Sequence, residues 1–326
     1  MQDTYRREIS YLRVSVTDRC NLRCLYCMPG DGVDTAPHDE ILSYEEIAAV
    51  VRAAASLGVR KVRLTGGEPL VRRGLKDLVG LIASVPGIDD VALTTNGLLL
   101  LPALAGLKEA GLKRVNISLD TLRADRYREI TRGGDLAVVW AGVQAAMDAG
   151  LDPVKLNTVV IRGLNDDEVA ALAGLTLNLP LHIRFIELMP IGSTGEWVAG
   201  KFVPAGEVAG AIAARLGPLE VAKEPAGGGP ARYYRLNGAA GTIGFITSMS
   251  DHFCEWCNRL RLTSSGGLRL CLYDRREVDL RSLLRAGAGI PEIARRIEEA
   301  VLLKPGRHHF SEGWQDKRRV MSQIGG

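Results

Sequence analysis

The chain has 326 residues, 46% of them hydrophobic, and a formal net charge of +3, which suits a globular protein with one large and one smaller domain. This mild basic balance falls short of a nucleic-acid-binding surface, and no segment approaches the ~18 consecutive apolar residues of a membrane span. We therefore expect neither nucleic acid nor a membrane among its partners. The polar amino terminus lacks the apolar core of a signal peptide and predicts a cytoplasmic location.

Predicted strands and helices alternate over the first two-thirds of the chain, in units of roughly 30 residues. The first helix begins at a capping box formed by Ser43 and Glu46 and ends at Gly58. Six such units predict a parallel sheet that is either doubly wound or curved into a barrel. A closed barrel takes eight units, so a barrel of six would stay open along one side. Strands are predicted at residues 11–16, 60–65, 90–95, 113–119, 153–160 and 181–187, and further helices near 74–84, 101–110, 135–149 and 166–176.

A cysteine triplet, Cys20, Cys24 and Cys27, follows the first predicted strand. A structural zinc site takes four ligands, usually as two close pairs, and no histidine or fourth cysteine lies beside this triplet. Thiolates are the ligands of 4Fe-4S clusters, and three of them leave one iron open to a substrate or cofactor. The spacing therefore favours a catalytic cluster, with a loop of buried or redox-active cysteines as the alternative.

Polar residues alternate with apolar ones along five of the predicted strands. Buried parallel strands are normally nearly continuous apolar runs, so a repeated polar face predicts a polar lumen inside the sheet. Four of these residues are cationic without a matching acidic set, which predicts a bound anion such as a phosphorylated substrate. Alternatively, the strands show this face to solvent, as antiparallel strands do. The residues are Arg13 and Ser15, Arg63 and Thr65, Asn116 and Ser118, Lys155 and Asn157, and His182 and Arg184.

A loop with two glycines, Gly66 and Gly67, follows the second predicted strand and continues into Glu68. Glycines let the backbone approach a ligand closely and leave amide hydrogens free to bind it, and Glu68 adds a carboxylate. The loop is therefore a candidate ligand contact, with an ordinary turn as the alternative.

The alternating pattern stops after Glu187. A loop, a helix near 205–216 and a Pro- and Gly-rich linker at 225–230 separate it from short strands at 232–236, 241–247 and 268–273 and two late helices near 280–302. We expect two domains, the barrel over residues 1–225 and a smaller carboxyl-terminal module over residues 226–326.

The smaller module holds a second cysteine triplet, Cys254, Cys257 and Cys271. His252 could complete a Cys3His zinc site, and on spacing alone zinc and an iron-sulfur cluster are equally supported. The first triplet favours a second cluster with an open iron. Because Arg259 and Arg261 lie beside the triplet, metal and guanidinium groups together could hold a nucleotide.

The chain ends in Gly325 and Gly326 behind the basic residues Lys317, Arg318 and Arg319. Chain ends are usually frayed, but two glycines can also enter a crowded pocket where side chains do not fit. The tail is therefore a candidate part of the site.

The first triplet, with an aromatic residue, Tyr26, before its last cysteine, resembles that of the radical S-adenosylmethionine (SAM) enzymes. Within that group, seven segments resemble the GTP 3′,8-cyclase family of molybdenum cofactor biosynthesis. They are YLRVSVTDRCNLRCLYCMP, KVRLTGGEPLVRR, LTTNGLLL, RVNISLDTL, IRFIELMPIG, GFITSMSDHFCEWCNRLRL and the terminal Gly-Gly. The resemblance implies an α/β fold, an open six-unit TIM-like β/α barrel with a smaller cluster-binding module at the carboxyl terminus.

The activity that the resemblance implies is that of a lyase with two 4Fe-4S clusters and SAM. A 5′-deoxyadenosyl radical would take the 3′ hydrogen of GTP, and the 3′ carbon would bond to carbon 8 of guanine. The product, 3′,8-cyclo-7,8-dihydro-GTP, would pass to cyclic pyranopterin monophosphate synthase. A reducing electron donor is also implied, and the oligomeric state stays open, with a homodimer as one option.

The resemblance also assigns roles to residues of this chain. The first cluster would be held by Cys20, Cys24 and Cys27, and the second by Cys254, Cys257 and Cys271. SAM would contact Tyr26, Gly67, Ser118 and Met189. GTP would contact Arg13, Arg63, Thr94 and Lys155 from the barrel, and Arg259 and Arg261 from the smaller module. The catalytic set would comprise Gly325, Gly326, Arg259 and Arg261.

One departure from the family lies near the amino terminus, where Thr4-Tyr5-Arg6-Arg7 stands in place of the usual Phe-Gly-Arg. We expect it to alter amino-terminal packing without touching a site residue. Two alternatives to the main interpretation are another radical SAM enzyme with an auxiliary cluster, such as a peptide maturase, and a non-enzymatic zinc-binding protein.

Overall fold

The computed structural model describes residues 1–191, 200–309 and 319–324. It confirms the α/β fold with an open, largely parallel sheet and six strand and helix units. Strands β1 to β6 are Tyr11–Ser15, Lys61–Thr65, Asp90–Thr95, Arg114–Ser118, Val154–Val160 and Leu181–Glu187. Helices α1 to α6 are Tyr44–Ser56, Leu75–Ala83, Leu100–Glu109, Ala124–Thr131, Leu136–Asp148 and Val169–Asn178.

Helix α1 has the predicted capping box. The Ser43 hydroxyl accepts a hydrogen bond from the Glu46 amide at 3.1 Å, and the Glu46 carboxylate accepts one from the Ser43 amide at 2.7 Å. The helix ends just before Gly58, whose φ of +95° suits glycine. The capping box gives hydrogen-bond partners to two amides that would otherwise have none, and it thereby fixes where the helix begins.

Helix α4 was not predicted. Its sequence, Ala-Asp-Arg-Tyr-Arg-Glu-Ile-Thr, is dominated by charged residues, and it buries only Tyr127, Ile130 and Thr131. An apolar stripe this short gives little periodic signal. The helix matters for the site because its last turn supports the first cysteine loop, as described below.

The carboxyl-terminal third adds strands to both edges of the barrel sheet. Strand β10 pairs in parallel with β1, and β9 pairs in parallel with β6. Strands β7 and β8 continue beyond β9, and β11 and β12 beyond β10, all antiparallel. These strands are Glu220–Val221, Arg232–Arg235, Thr242–Ile246, Arg259–Leu262, Gly267–Arg269 and Glu277–Asp279, and the helices α7 to α9 are Ala205–Leu216, Arg281–Arg285 and Ile290–Val301.

The sheet order is β12-β11-β10-β1-β2-β3-β4-β5-β6-β9-β8-β7, so within the described residues β9 and β10 do not pair and the barrel stays open. Strand β10 was not predicted, because its alternating Arg and Leu residues were interpreted only as anion contacts. The strand expected at 268–273 is shorter, since β11 ends at Arg269. The two-domain division at residue 225 stays a prediction.

The register brings the predicted polar residues side by side. Arg13 lies opposite Arg63 on one side and Arg261 on the other. Lys155 lies between Asn116 and His182, and the neighbouring row joins Ser118, Asn157 and Arg184. The alternate residues are fully buried under the helices, as in Val14, Leu64, Val115, Leu156 and Ile183. The polar lumen and its cationic character are therefore features of the fold.

In the part of the chain that the structure describes, no helix combines the length and the apolar character needed to cross a membrane.

Candidate active site

All six cysteines of the chain line one cavity in the lumen. The first triplet lies beyond the carboxyl end of β1, whereas Cys257 precedes β10, which runs parallel to β1 with Arg259 opposite Tyr11. Cys271 follows β11, which is antiparallel to β10, and therefore lies at the same end as Cys257. The two triplets thus lie at opposite ends of the strands and face each other across the cavity.

The loop that carries the first triplet is held by helix α4. The amides of Arg23 and Leu25 donate to the carbonyls of Thr131 and Ile130, at 3.1 and 2.9 Å. The Tyr26 hydroxyl donates to the buried carboxylate of Asp120 at 2.7 Å. These bonds fix the cysteine loop from two directions before any cofactor binds.

The cysteines of the first triplet are half-buried. Burial and then the neighbouring thiol of Cys27 raise the pKa of Cys24, and burial raises the pKa of Cys27 to about 12. The thiols are therefore protonated at neutral pH unless a metal binds them. Loading iron would release protons, as is usual when thiols become metal ligands.

Gly66 and Gly67 press against the same loop. A Cβ on Gly67 would lie 2.3 Å from the carbonyl oxygen of Arg19, and one on Gly66 would lie 2.3 Å from that of Thr17. Glu68 is buried, and its carboxylate accepts bonds from the Thr95 hydroxyl at 2.7 Å and two backbone amides. Only glycine permits this approach, so the predicted ligand loop also packs the cysteine loop onto β2.

The lumen between the triplets is cationic. The guanidinium groups of Arg13, Arg63 and Arg184 line the cavity, and the Nε atom of each is buried without a hydrogen-bond partner among the described residues, although Nη2 of Arg184 donates to Asn116 at 2.6 Å. Burial lowers the pKa of Arg63 to about 10, with Tyr11 opposing the shift and Arg184 adding to it. Buried cations that lack partners are costly, so this wall is suited to an anion.

Lys155 takes a different position from these arginines. It is fully buried but does not line the cavity, because its Nζ donates to the Ala226 carbonyl at 3.1 Å and lies 5.4 Å from the centre of the Tyr233 ring. Burial, with the charges of Arg184 and Arg114, lowers the pKa of Lys155 to about 6. A segment of the predicted linker therefore covers this amino group, which is mostly uncharged at neutral pH.

The second triplet has a cationic environment. Burial alone would raise the pKa of Cys257, but Arg259 and Lys304 outweigh it and lower the pKa to about 6. The Nη2 atom of Arg259 lies 3.8 Å from the Cys257 sulfur, and the Arg259 guanidinium stacks over Phe253 at 4.7 Å. Arg261 also lines the cavity. The predicted proximity of metal ligands and guanidinium groups is therefore present in the structure.

The geometry of the cysteines distinguishes clusters from single ions. Among residues 1–191, 200–309 and 319–324, no three His, Cys, Asp or Glu side chains converge on a position for one metal ion. A zinc ion needs all its ligands within about 2.4 Å, whereas the thiolates of a 4Fe-4S cluster bind separate irons. His252 packs edge-on against His308, with ring centres 4.9 Å apart, and does not line the cavity. Each triplet therefore offers three thiols, a donor set that leaves one iron of a 4Fe-4S cluster open.

The described part of the tail reaches the first triplet. Met321 and Ser322 line the cavity, the Ser322 amide hydrogen-bonds to the Cys27 sulfur, and buried Ile324 packs with Ile191. The predicted catalytic residues Gly325 and Gly326 lie outside the described residues.

The other predicted site residues also line the cavity: Tyr26, Gly67, Thr94, Ser118 and Met189. Several wall residues were not predicted as site residues, namely Arg184, His308 and Gly228 to Pro230. Arg184 was identified on the polar strand face, so its signal was present in the sequence. His308 and the glycines lie in loops, where no periodic pattern exists to reveal them.

The amino-terminal departure does touch the site, so the expectation that it would not is wrong. Arg7 is buried and paired with Asp3 at 2.6 Å, and its Nη1 donates to the Cys254 carbonyl at 2.8 Å. The stretch is therefore a support for the second triplet.

Comparison with known proteins shows the family. The Radical SAM superfamily matches residues 14–176, and the Molybdenum Cofactor Synthesis C family matches residues 181–310. The GTP 3′,8-cyclase of Pelotomaculum thermopropionicum is 70% identical over all 326 residues, with both chains fully covered. The chain belongs to the GTP 3′,8-cyclase family. The family member of Desulforamulus reducens is 53% identical and that of Moorella thermoacetica 55% identical, again with full coverage of both chains.

Solved structures agree on the fold. The crystal structure of Streptococcus suis SuiB bound to S-adenosylmethionine aligns with a TM-score of 0.60 at 14% identity, covering 94% of this chain and 74% of that one. Membership of the radical SAM superfamily identifies the chain as an enzyme that uses SAM and a 4Fe-4S cluster. The family predicted from the cysteine spacing and the seven segments is confirmed.

Proposed function

We propose that this enzyme is a lyase that converts GTP to 3′,8-cyclo-7,8-dihydro-GTP with two 4Fe-4S clusters and SAM. The observation that carries the proposal is the placement of two cysteine triplets at opposite ends of a lumen whose wall between them is cationic. Relatives that match the whole chain bear the name of this activity.

The first cysteine site would hold a cluster on Cys20, Cys24 and Cys27, with SAM at its open iron. Tyr26, Gly67, Ser118 and Met189 all line the cavity and would orient SAM. A cluster and SAM held there would supply the radical chemistry that removes the 3′ hydrogen of GTP. The chain itself would position the reactants in the lumen and limit the access of water to them.

The second site would hold a cluster on Cys254, Cys257 and Cys271. GTP would lie between the two sites, with Arg259 and Arg261 contacting it beside this cluster. The triphosphate would balance the charges of Arg13, Arg63 and Lys155, because charge-assisted bonds to phosphate are strong and arginine binds phosphate with two parallel bonds. Thr94 has a buried hydroxyl without a hydrogen-bond partner and would contact GTP as well.

The remaining sequence predictions concern the partners, the location and the oligomeric state of the enzyme. The product would be consumed by cyclic pyranopterin monophosphate synthase, and a reducing electron donor would supply the clusters. A cytoplasmic location and a homodimer stay predictions. A peptide-maturing enzyme is disfavoured, because a cationic lumen suits a triphosphate better than an extended peptide.

The experiment that tests the proposal measures 5′-deoxyadenosine and the nucleotide product from anaerobically reconstituted protein with SAM and reductant, with and without GTP. We expect GTP to stimulate 5′-deoxyadenosine formation and to yield a cyclised nucleotide. Deoxyadenosine without a GTP effect would leave the radical chemistry in place and refute GTP as the substrate.

Replacing Gly67 by alanine should disable the first site. Its Cβ would lie 2.3 Å from the Arg19 carbonyl and push the cysteine loop away from β2. A displacement of about 1 Å costs about 100-fold in rate, so we expect that loss in 5′-deoxyadenosine formation together with weaker SAM binding in calorimetry. Gly80→Ala, in helix α2 with nothing within 4 Å of the new Cβ, is the matched control and should retain both properties. Unchanged SAM binding in Gly67→Ala would contradict the assignment.

Nucleotide affinity should depend on pH through Lys155. Its pKa is about 6 in the free enzyme, and a phosphate beside it would raise that pKa. The contribution of protonated Lys155 to nucleotide affinity is therefore complete below pH 6. It declines as the pH rises towards the pKa of Lys155 in the complex, and the affinity falls by up to about tenfold per pH unit. Calorimetry in buffers of different ionisation enthalpy should show proton uptake on GTP binding. Lys155→Met should remove that uptake; equal uptake in both proteins would contradict the prediction.

Deleting Gly325 and Gly326 tests whether the carboxyl-terminal tail is needed to form the cyclised nucleotide. Because the preceding residues already line the cavity, we expect clusters and SAM cleavage to persist while formation of the cyclised nucleotide falls by about 100-fold or more. Product analysis alongside a 5′-deoxyadenosine assay measures this. A full product yield would mean that the tail only closes the cavity.

A further inference from the structure

Segment 224–229 forms a wall of the lumen, although the sequence predicted a linker there. Gly228 and Gly229 line the cavity that the two triplets share. Gly229 also lines a second groove, which includes Trp256 and Asn258 and shares Cys257 and Arg259 with the first cavity. The segment therefore lies beside both cavities.

The inner side of the segment lies on cations from three strands. The buried Nζ of Lys155, on β5, donates to the Ala226 carbonyl at 3.1 Å. A Cβ on Gly227 would lie 1.9 Å from Nη1 of Arg114, on β4, so the glycine packs directly on that guanidinium. A Cβ on Gly228 would lie 3.0 Å from Nζ of Lys61, on β2. Backbone of the segment thus occupies the space in front of these groups.

These cations are incompletely compensated. Arg114 pairs with Asp90 through Nε and Nη2, but its buried Nη1 has no hydrogen-bond partner. Glu224 is exposed; partial burial raises the pKa of its carboxyl, and the charges of Lys155, Lys61 and Arg184 oppose that rise. The Asp90 carboxylate and the Ala226 carbonyl provide the direct contacts to Arg114 and Lys155.

We propose that segment 224–229 is an internal occupant of the anion site, which a polyphosphate must displace from Lys155 in order to bind. The Ala226 carbonyl stands in for a phosphate oxygen while the site is free. The inference rests on the proposed function for the natural ligand, and on the contacts described above for the cationic site itself.

The exchange is favourable because a polyphosphate offers several charged oxygens where the segment offers one neutral carbonyl. Hydrogen bonds to charged groups are about twice as strong as neutral ones. The three glycines have φ values of +107°, +64° and +154°, and glycine adopts such values and their alternatives at little cost. The segment can therefore leave the lumen without breaking the sheet, and it closes the lumen again when the ligand is absent.

Binding of inorganic tripolyphosphate to the cluster-loaded enzyme tests the proposal without SAM or turnover. Gly227→Ala forces a Cβ into Arg114 at a φ that alanine disfavours, and so weakens the internal contact. We expect it to bind tripolyphosphate about fivefold or more tightly than the wild type, the low end of typical coupling effects. Gly238→Ala is the matched control, because Gly238 also has a positive φ, +72°, but its Cβ would meet nothing within 4 Å.

A second variant avoids any backbone strain. Glu224→Gln removes the charge alone and should also tighten tripolyphosphate binding, whereas Glu220→Gln, on exposed β7, should not. Amide hydrogen exchange should rise in segment 224–229 of the wild type when tripolyphosphate is added, because the segment leaves its contacts. Weaker binding in both variants, with added protection of the segment, would overturn the proposal and make the segment part of the ligand site.

The outcomes for this proposal and for the proposed function are separable. Suppose that both variants bind tripolyphosphate more tightly than the wild type but GTP does not change 5′-deoxyadenosine formation. This result would refute the GTP reaction and support the displaceable segment. An absence of tripolyphosphate binding to the wild type would refute the displaceable segment, whatever the activity assay shows.

Discussion

Cys24→Ala is expected to abolish 5′-deoxyadenosine formation, a loss of more than about 1000-fold. Cys24 is a half-buried member of the first triplet, and the variant leaves two thiolates for a cluster that takes three. Iron and labile sulfide should fall to about half of the wild-type content, because the second site is intact. Iron and sulfide analysis together with product chromatography measures both effects.

The control for this experiment is Cys271→Ala in the second triplet. It should lose a similar amount of iron and sulfide but keep the cleavage of SAM, while the cyclised nucleotide disappears. The two variants thus separate radical generation from use of the radical on GTP. If Cys271→Ala cleaved no SAM and Cys24→Ala did, the assignment of the two sites would have to be exchanged.

Arg63→Glu is expected to weaken GTP binding by about 100-fold or more, since losing one partner of a buried charge pair costs 2 to 5 kcal/mol. Arg63 is buried in the lumen, where it lies beside Arg13 and in the field of Arg184. The new carboxylate would meet these arginines, so the fold should be at least as stable as before. Equilibrium dialysis with GTP, iron content and thermal unfolding test these three expectations.

Arg60→Glu provides a matched control. Arg60 lies immediately before β2 but is exposed, and its partner Asp89 is exposed as well, so their ion pair contributes little. GTP affinity should stay within about twofold of the wild type. An equal loss of affinity in both variants would mean that general charge, and not the lumen, attracts the nucleotide.

The amino-terminal stretch shows how a local departure can have a distant effect. Arg7 crosses to the second cysteine loop, where its Nη1 donates to the carbonyls of Cys254 and Gly306 and its Nη2 donates to that of Pro305. Nothing in the sequence around residue 7 indicates a partner 247 residues away. The fold supplies the contact because β1 and β10 are neighbours.

Local sequence patterns determined the first cysteine site, the glycine loop beside it and the cationic face of the strands. The spacing of Cys20, Cys24 and Cys27, the glycine pair at 66 and 67, and the alternation along the strands depend only on neighbours in the chain. Alternation places residues on one face of a strand whichever strands lie beside it, so the cationic lumen was predictable. The family followed from the same short segments.

Only the tertiary structure decided how the two halves of the site meet. Strand β10 pairs with β1 across the chain, which sets the second triplet at the opposite end of the lumen from the first. Segment 224–229 gave the local signal of a linker, yet it packs on Lys155 and Arg114. The physical reason is that the alternation of residues along a strand determines which face of the sheet each side chain takes. The pairing of distant strands and the placement of loops depend instead on the packing of the whole core.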